Sequence, residues 1–159
     1  MMIFAIDDEP KALRVLCRCV EEAAPGAELR AFDKAADALD AIRIGGLSPD
    51  IVFSDIEMPG ASGLEFAVAL KTASPDTRVV FVTAFSQYAL DAFRVRAQGY
   101  IMKPLTPELV REELVSALWG DGSGRKDAKH GIRNLIGDLR ETLKQIGMED
   151  ALIRRGAST

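Results

Sequence analysis

The feature that most constrains the fold is an alternation, repeated along the chain, of short β-rich runs with amphipathic stretches. The β-rich runs are Met2–Ile6, Ala27–Phe32, Ile51–Ser54, Val79–Thr83 and Tyr100–Met102. All but one are almost continuously apolar, which is typical of parallel strands that are covered on both faces. In the second run Glu28 and Arg30 alternate with less polar residues, so we expect that strand at an edge of the sheet.

The amphipathic stretches predict a helix after each strand. In the first, apolar residues recur three or four positions apart until Pro25-Gly26 ends the helix. The next helices are predicted at Ala35–Ile44, Leu64–Ala73 and Tyr88–Val95. Thr106 caps the last, which has Pro107 at its first position and an inner face of Leu109, Val110, Leu114 and Leu118. Repeated β–α units with right-handed crossovers predict an α/β fold with a doubly wound, five-stranded parallel sheet.

The composition changes after Trp119, which predicts a division of the chain. We expect residues 1–119 to form the main domain, residues 120–130 a flexible linker, and residues 131–159 an amphipathic helical tail. Residues 1–120 carry 12 lysines and arginines against 18 acids, and the rest of the chain 8 against 6. An acidic main domain is poorly suited to binding the phosphate backbone of nucleic acids.

Hydropathy and the cysteines exclude some other classes of protein. No apolar run approaches the roughly 20 residues of a membrane span, and the first residues lack the basic region of a signal peptide. We therefore expect a cytoplasmic protein with no membrane partner. Cys17 and Cys19 would diverge on a helix, and no histidine lies near enough to complete a zinc site, since His130 falls in the polar tail.

Ionisable side chains follow several of the predicted strands at the point where each strand ends. Asp7-Asp8 follows the first strand, Asp55 the third and Lys103 the fifth. Because the carboxyl ends of parallel strands meet at one edge of a sheet, we expect these side chains to converge. Clustered carboxylates repel one another unless a cation is present, and oxygen ligands of this kind suit Mg²⁺.

Such a group of side chains is suited to phosphoryl chemistry. Asp55 can act as the nucleophile and form an acyl phosphate. A magnesium ion held by Asp8 and Asp55 would screen the incoming charge. Lys103 would offer a compact positive charge to a phosphate oxygen, and Thr83, at the end of the fourth strand, a hydroxyl.

These residues stand in motifs that resemble the response-regulator receiver family of two-component signalling. The motifs are Ile6-Asp7-Asp8-Glu9-Pro10, Ser54-Asp55-Ile56-Glu57-Met58-Pro59-Gly60, Thr83-Ala84 and Tyr100-Ile101-Met102-Lys103-Pro104. They occur in the family's order, between Met1 and about Trp119. The resemblance implies a flavodoxin-like sheet with strand order 2-1-3-4-5. The stretch Thr83–Pro104 is similar to receivers that are attached to DNA-binding output domains.

The resemblance also implies roles for individual residues. Asp55 would accept a phosphoryl group from a phosphohistidine of a sensor histidine kinase, with Lys103 as the family's lysine. Asp7, Asp8 and Asp55, with the backbone carbonyl of Glu57, would hold Mg²⁺. The peptide bond between Lys103 and Pro104 would be cis. The chain would be a phosphorylation-activated switch that takes part in its own phosphorylation and dephosphorylation, and not an enzyme.

Two further residues would carry the switch according to the same resemblance. Thr83 and Tyr100 would form a pair in which phosphorylation draws in the hydroxyl of Thr83. Space would then open for Tyr100 to turn inward. We expect the surface around the fourth helix and the fifth strand to change as a result.

Other interpretations of these motifs stay open from the residues alone. Asp7 and Asp8 could cap the first helix, and Asp55 could be a turn residue. The main alternative function is a magnesium-dependent phosphohydrolase with an aspartyl nucleophile. That chemistry usually places an acid two residues after the nucleophile and a threonine two further on, and here Glu57 is followed by Pro59. A flavin or dinucleotide carrier is disfavoured because the acidic loop after the first strand would repel phosphate.

The tail has several interpretations. It weakly resembles the recognition helix and hairpin strand that end a winged-helix output domain, without the elements that precede them there. It could be a remnant, a truncation, or a helix that docks on the receiver or on a second copy of the chain, forming a homodimer. A single helix cannot bury its own apolar stripe, so we do not expect specific DNA binding by this chain.

Overall fold

The structure is a computed structural model that describes residues 1–119. Its strands are β1 Met2–Ile6, β2 Glu28–Phe32, β3 Ile51–Ser54, β4 Arg78–Thr83 and β5 Gly99–Met102. Its helices are α1 Pro10–Ala23, α2 Ala35–Arg43, α3 Gly63–Ala73, α4 Ala89–Arg94 and α5 Pro107–Trp119. The strict alternation of strand and helix that the sequence predicts is confirmed. The predicted linker at residues 120–130 and the tail at residues 131–159 lie outside the described residues.

All strands belong to one parallel sheet with the order β2-β1-β3-β4-β5. The prediction of a flavodoxin-like, doubly wound sheet is therefore confirmed. The strand β2 lies at an edge, as its alternating charges predicted, and several of its residues are exposed. The strands β1, β3 and β4 are buried almost throughout, because helices cover both of their faces.

Apolar side chains form a core on each face of the sheet. Alternate strand residues point to opposite faces, so Phe4 and Phe81 pack on one side while Phe53 and Val82 pack on the other. The helices α2, α3 and α4 cover the first side, and α1 and α5 the second. Full burial of side chains of this size contributes about 1.5–3 kcal/mol each to stability. The rigid sheet fixes the positions of the strand ends, where the functional groups were predicted.

The ends of two helices follow from their sequences. Ser62 and Glu65 form a reciprocal capping box at the start of α3. Thr106 caps α5 as predicted, since its hydroxyl accepts a hydrogen bond of 3.3 Å from the backbone amide of Leu109. The side chain of Leu109, however, is 37% exposed, which contradicts its predicted place on the inner face. The buried stripe follows Val110, Leu114 and Ala117, and Leu109 lies one position away from it.

The remaining predictions concern α1 and the membrane. Cys17 is half-buried and Cys19 is buried on the inner face of α1, and both are free thiols. Burial raises the pKa of both thiols, so they stay protonated and form part of the packing. Among residues 1–119, no helix is both long and apolar enough to cross a membrane.

Candidate functional site

The carboxylates of Asp7 and Asp55 lie at the ends of two neighbouring strands. Ile6 of β1 is in register with Ser54 of β3, so the acids that follow them are adjacent. The backbone amide of Asp55 continues the ladder by donating to the carbonyl of Ile6 at 2.9 Å. Both acids, Asp7 at 1% exposure and Asp55 at 9%, are buried. The sheet therefore places two acidic groups side by side, as the sequence predicted.

Backbone amides orient both carboxylates. The amide of Glu9 donates to Oδ1 of Asp7 at 3.0 Å, and the amide of Ile56 donates to Oδ1 of Asp55 at 2.7 Å. In each case the donor belongs to the loop that follows the strand. Hydrogen bonds to one oxygen fix the plane of the carboxylate and direct the other oxygen, Oδ2, to its own partner.

That partner is Lys103, which follows β5. Its Nζ lies 2.8 Å from Oδ2 of Asp7 and 3.2 Å from Oδ2 of Asp55. The register of Thr83 with Met102 brings the end of β5 level with the end of β4. The peptide bond between Lys103 and Pro104 is cis, as the resemblance implied. The lysine thus joins two acids that are 96 and 48 residues away in the sequence.

The electrostatics of the pair Asp55 and Lys103 reflect both burial and charge. Burial raises the pKa of the Asp55 carboxyl, and the nearby charge of Asp7 adds to this. Lys103 and the amide of Ile56 oppose the shift without cancelling it. For Lys103 burial acts to lower the pKa, but the hydrogen bond to Asp7 and the charge of Asp55 outweigh it, so its pKa is raised. Lys103 is therefore a permanent cation that balances part of the negative charge.

A third acid completes a cluster that fits a divalent cation. Carboxylate oxygens of Asp7, Asp8 and Asp55 all lie within 4.8 Å of one another. Asp8 is less buried than the other two, so the cluster opens to solvent on one side. Hard oxygen donors with one open side match the preference of Mg²⁺, which keeps several water ligands. The predicted role of the Glu57 backbone carbonyl stays a prediction.

The predicted switch residues Thr83 and Tyr100 are linked through Phe85. Thr83 is fully buried, and its Oγ1 accepts a hydrogen bond of 3.3 Å from the amide of Phe85. The hydroxyl of Tyr100 donates to the carbonyl of Phe85. Tyr100 is only 4% exposed and its ring already points inward. Burial raises the pKa of the Tyr100 hydroxyl. The role of Thr83 and Tyr100 as a switch pair stays a prediction.

The sequence analysis missed two contributions to the site. One is Gly63, which opens α3, since a Cβ at this position would lie 2.0 Å from the carbonyl oxygen of Asp55. The capping motif around Ser62 and Glu65 could have indicated this helix start, one residue before the predicted one. The other is a hydrogen bond from the hydroxyl of Tyr88 to the carboxylate of Glu57. No sequence signal points to it, because neither residue directly follows a strand, so the strand order does not place the two together.

Solved structures with the same fold support the topology. The structure is similar to the response regulatory domain of MrkE from Klebsiella pneumoniae, with a TM-score of 0.65 and 25% identity. That match covers 74% of this chain and 94% of the other. The chemotaxis protein CheY4 of Vibrio cholerae is similar in fold, with a TM-score of 0.64, 23% identity, and coverage of 74% of this chain and 98% of the other.

Curated relatives have higher sequence identity to the chain. An uncharacterized response regulatory protein of Vibrio vulnificus is 42% identical over 113 residues, which make up 67% of this chain and 43% of the relative. The positive alginate biosynthesis regulatory protein of Pseudomonas aeruginosa is 38% identical over 118 residues, or 74% of this chain and 47% of the relative. The sensory transduction protein LytT of Enterococcus faecalis is 32% identical over 117 residues, covering 74% and 48%. The chain spans less than half the length of these relatives.

The family model of the response regulator receiver domain matches residues 3–115, which is most of the chain. The matched segment contains every residue of the acidic cluster, together with Lys103 and Thr83. The chain belongs to the response regulator receiver domain family, whose members are signalling switches of two-component systems.

Proposed function

We propose that Asp55 is the phosphoacceptor of this receiver domain and that a sensor histidine kinase supplies the phosphoryl group. The observation that carries the proposal is the contact of 3.2 Å between Oδ2 of Asp55 and Nζ of Lys103, beside Asp7 and Asp8. A buried carboxylate at the end of a central strand, next to a fixed cation and further acids, combines a nucleophile with a site for phosphate oxygens.

The transfer is a substitution at phosphorus. A carboxylate oxygen of Asp55 attacks the phosphorus atom of the phosphohistidine, the new O–P bond forms, and the P–N bond breaks. The imidazole nitrogen keeps the electron pair. Lys103 is positioned to stabilise charge on the phosphoryl oxygens, because its Nζ already lies within contact distance of the attacking carboxylate. Its ion pair with Asp7 keeps the ammonium group in place when Asp55 becomes an acyl phosphate.

The acidic cluster supplies the second part of the proposed chemistry. Asp7, Asp8 and Asp55 would hold Mg²⁺, and the backbone carbonyl of Glu57 is proposed as a further ligand. A bound ion would neutralise part of the negative charge of the carboxylates and of the phosphoryl group. Asp7 and Asp8 also prepare the site for it, since their mutual repulsion is relieved when a cation binds.

Thr83 is proposed to sense the phosphoryl group. Its oxygen already accepts a hydrogen bond from the amide of Phe85, and a hydroxyl that accepts in this way can still donate its own proton. That proton can go to a phosphoryl oxygen on Asp55. Because the carbonyl of Phe85 accepts from Tyr100, a movement of Thr83 reaches Tyr100 through one shared residue. The phosphoryl group shifts the conformational equilibrium only by such differential contacts.

The output of the whole protein is a separate proposal. Two of the curated relatives are named as regulatory proteins and a third as a sensory transduction protein, and each is more than twice as long as the matched segment. We propose that residues 1–119 are the receiver unit, that residues 120–130 are a linker, and that the tail at 131–159 contributes packing or a dimer contact instead of specific DNA binding. The acidic excess of the described domain favours a protein partner over nucleic acid.

Phosphorylation by a small donor tests the proposed acceptor. Incubation of the full chain with acetyl phosphate and Mg²⁺ should add the mass of one phosphoryl group, and Asp55→Asn should add none, because an amide is not nucleophilic enough to replace the carboxylate. Asp76→Asn is the matched control, since Asp76 is exposed and precedes β4 at the opposite end of the strands. Full labelling of Asp55→Asn would exclude the assignment. Sustained turnover of small phosphate esters would instead favour the phosphohydrolase alternative.

A further inference from the structure

A hydrogen bond beside the acidic cluster takes no part in the chemistry proposed above. It joins the hydroxyl of Tyr88 to the carboxylate of Glu57. Glu57 lies two residues after Asp55, in the loop between β3 and α3, and Tyr88 is the N-cap residue of α4. The contact therefore links the loop that follows the acceptor to the first turn of a helix that is distant in sequence.

Two parts of the Tyr88 side chain, its hydroxyl and its ring, make the contact. A hydroxyl that donates to an ionised carboxylate forms a charge-assisted bond, which is shorter and stronger than a neutral one. The ring of Tyr88 also packs edge-on against Phe85, with the ring centres 6.4 Å apart and an interplanar angle of 87°. The tyrosine is thus held by its ring as well as by its hydroxyl.

The helix that begins at Tyr88 has few other contacts to hold it. The helix α4 has only six residues, Ala89–Arg94, and its N-cap side chain forms no capping hydrogen bond. Helices this short are marginal without tertiary contacts. The buried residues of α4 are Ala89 and Ala92, which offer a single methyl group each. The outward face carries Phe93, which is 58% exposed. The bond at its first turn is therefore one of the contacts that fix the position of α4.

We propose that Tyr88 is a positioning residue that ties α4 to the loop of Glu57, so that phosphorylation at Asp55 is transmitted to α4 by a second route, which begins at Glu57 instead of at Thr83. The proposal rests on the proposed phosphorylation of Asp55. A change in the loop when a phosphoryl group and Mg²⁺ arrive moves the carboxylate of Glu57, and Tyr88 carries that displacement to the apolar surface of α4. This route reaches α4 without passing through the backbone of Phe85.

Hydrogen exchange of the α4 amides tests the proposal on the full chain. Tyr88→Phe removes only the hydroxyl and keeps the ring against Phe85. Exchange in α4 should become about three- to tenfold faster, as expected for the loss of one hydrogen bond. The change in α4 exchange on treatment with acetyl phosphate and Mg²⁺ should shrink by a similar factor. The extent of phosphorylation by intact mass should stay at the wild-type level.

A double-mutant comparison separates this route from a purely structural effect. If Tyr88 acts through Glu57, Tyr88→Phe should add nothing to the response of α4 in a Glu57→Ala background. Tyr100→Phe is the matched control, because it removes the chain's other tyrosine hydroxyl, and its effect should persist in that background. Normal phosphorylation with an undiminished response of α4 in Tyr88→Phe would overturn the inference. A wild-type chain that takes up no phosphoryl group would instead overturn the proposed function.

Discussion

At the scale of single residues, the three acids of the site differ in burial and in their contacts with Lys103. Asp7 and Asp55 are buried and share Lys103, which neutralises part of their charge. Asp8 is the least buried of the three acids and lies within the same cluster. A group with high solvent exposure contributes little to folding, but its charge still contributes to cation binding at short range. Asp8 can therefore be removed to separate metal binding from stability.

Replacement of Asp8 by alanine tests this separation. We expect Asp8→Ala to bind Mg²⁺ at least about tenfold more weakly, since one of three charges close to the ion is lost. We also expect no loss of thermal stability, because the repulsion of Asp7 and Asp55 by the charge of Asp8 is removed. Calorimetric titration with Mg²⁺ and a melting curve measure the two effects, with Asp76→Ala as the control. Unchanged Mg²⁺ affinity in Asp8→Ala would contradict the proposed metal site.

The sequence predicted the acids and the lysine for a physical reason. Each follows a strand, and the strand order decides which ends are neighbours, so Asp7, Asp55 and Lys103 could be placed without coordinates. The orientation of the Tyr100 side chain could not be predicted from the strand order. It depends on a hydrogen bond to the backbone of Phe85, in a loop whose path no periodic pattern encodes. The contact between Tyr88 and Glu57 was missed for the same reason.

At the scale of secondary-structure elements, the start of α3 controls how closely a helix approaches the acceptor. The amide of Gly63 donates to the carbonyl of Ile56 at 2.8 Å, which brings the first turn of α3 against the end of β3. The side chain of Gly63 is a single hydrogen. A Cβ at this position would lie 2.0 Å from the carbonyl oxygen of Asp55. The backbone of the acceptor is therefore held partly by the absence of a side chain.

Replacement of Gly63 by alanine should disturb both stability and chemistry. The added methyl must displace backbone atoms, and forced overpacking of this kind costs about 1–3 kcal/mol. Because the displaced atom belongs to Asp55, we expect phosphorylation by acetyl phosphate to slow as well. Gly26→Ala is the control, since Gly26 has a φ of 88° with nothing within 4 Å of its Cβ position. That variant should lose stability through backbone strain while its phosphorylation rate stays normal, and an equal rate in Gly63→Ala would contradict the coupling.

At the scale of the whole molecule, the packing of α5 on the sheet places the carboxyl group of Glu113 over a glycine of β5. A Cβ at Gly99 of β5 would lie 2.1 Å from Oε2 of Glu113 and 3.2 Å from a methyl group of Val80. The carboxyl group therefore packs over the strand next to apolar atoms. Burial, together with the charge of Glu112, raises the pKa of Glu113 from its ordinary 4.5 to about 7. Packing of the helix on the sheet thus favours the neutral form.

This shift makes the stability of the domain depend on pH. In the unfolded chain Glu113 ionises near its ordinary pKa, while the folded chain keeps the proton up to about pH 7. The neutral form of Glu113 therefore stabilises the folded state fully below pH 4.5. This contribution, up to about 3 kcal/mol, is lost as the pH rises from 4.5 through 7. Glu113→Gln, which keeps the shape without the charge, should unfold at higher denaturant concentration than wild type at pH 8, and the two should converge near pH 5. Denaturant unfolding across this range is the measurement, with exposed Glu21→Gln expected to follow wild type. A constant difference between Glu113→Gln and wild type at every pH would assign the effect to packing and not to ionisation.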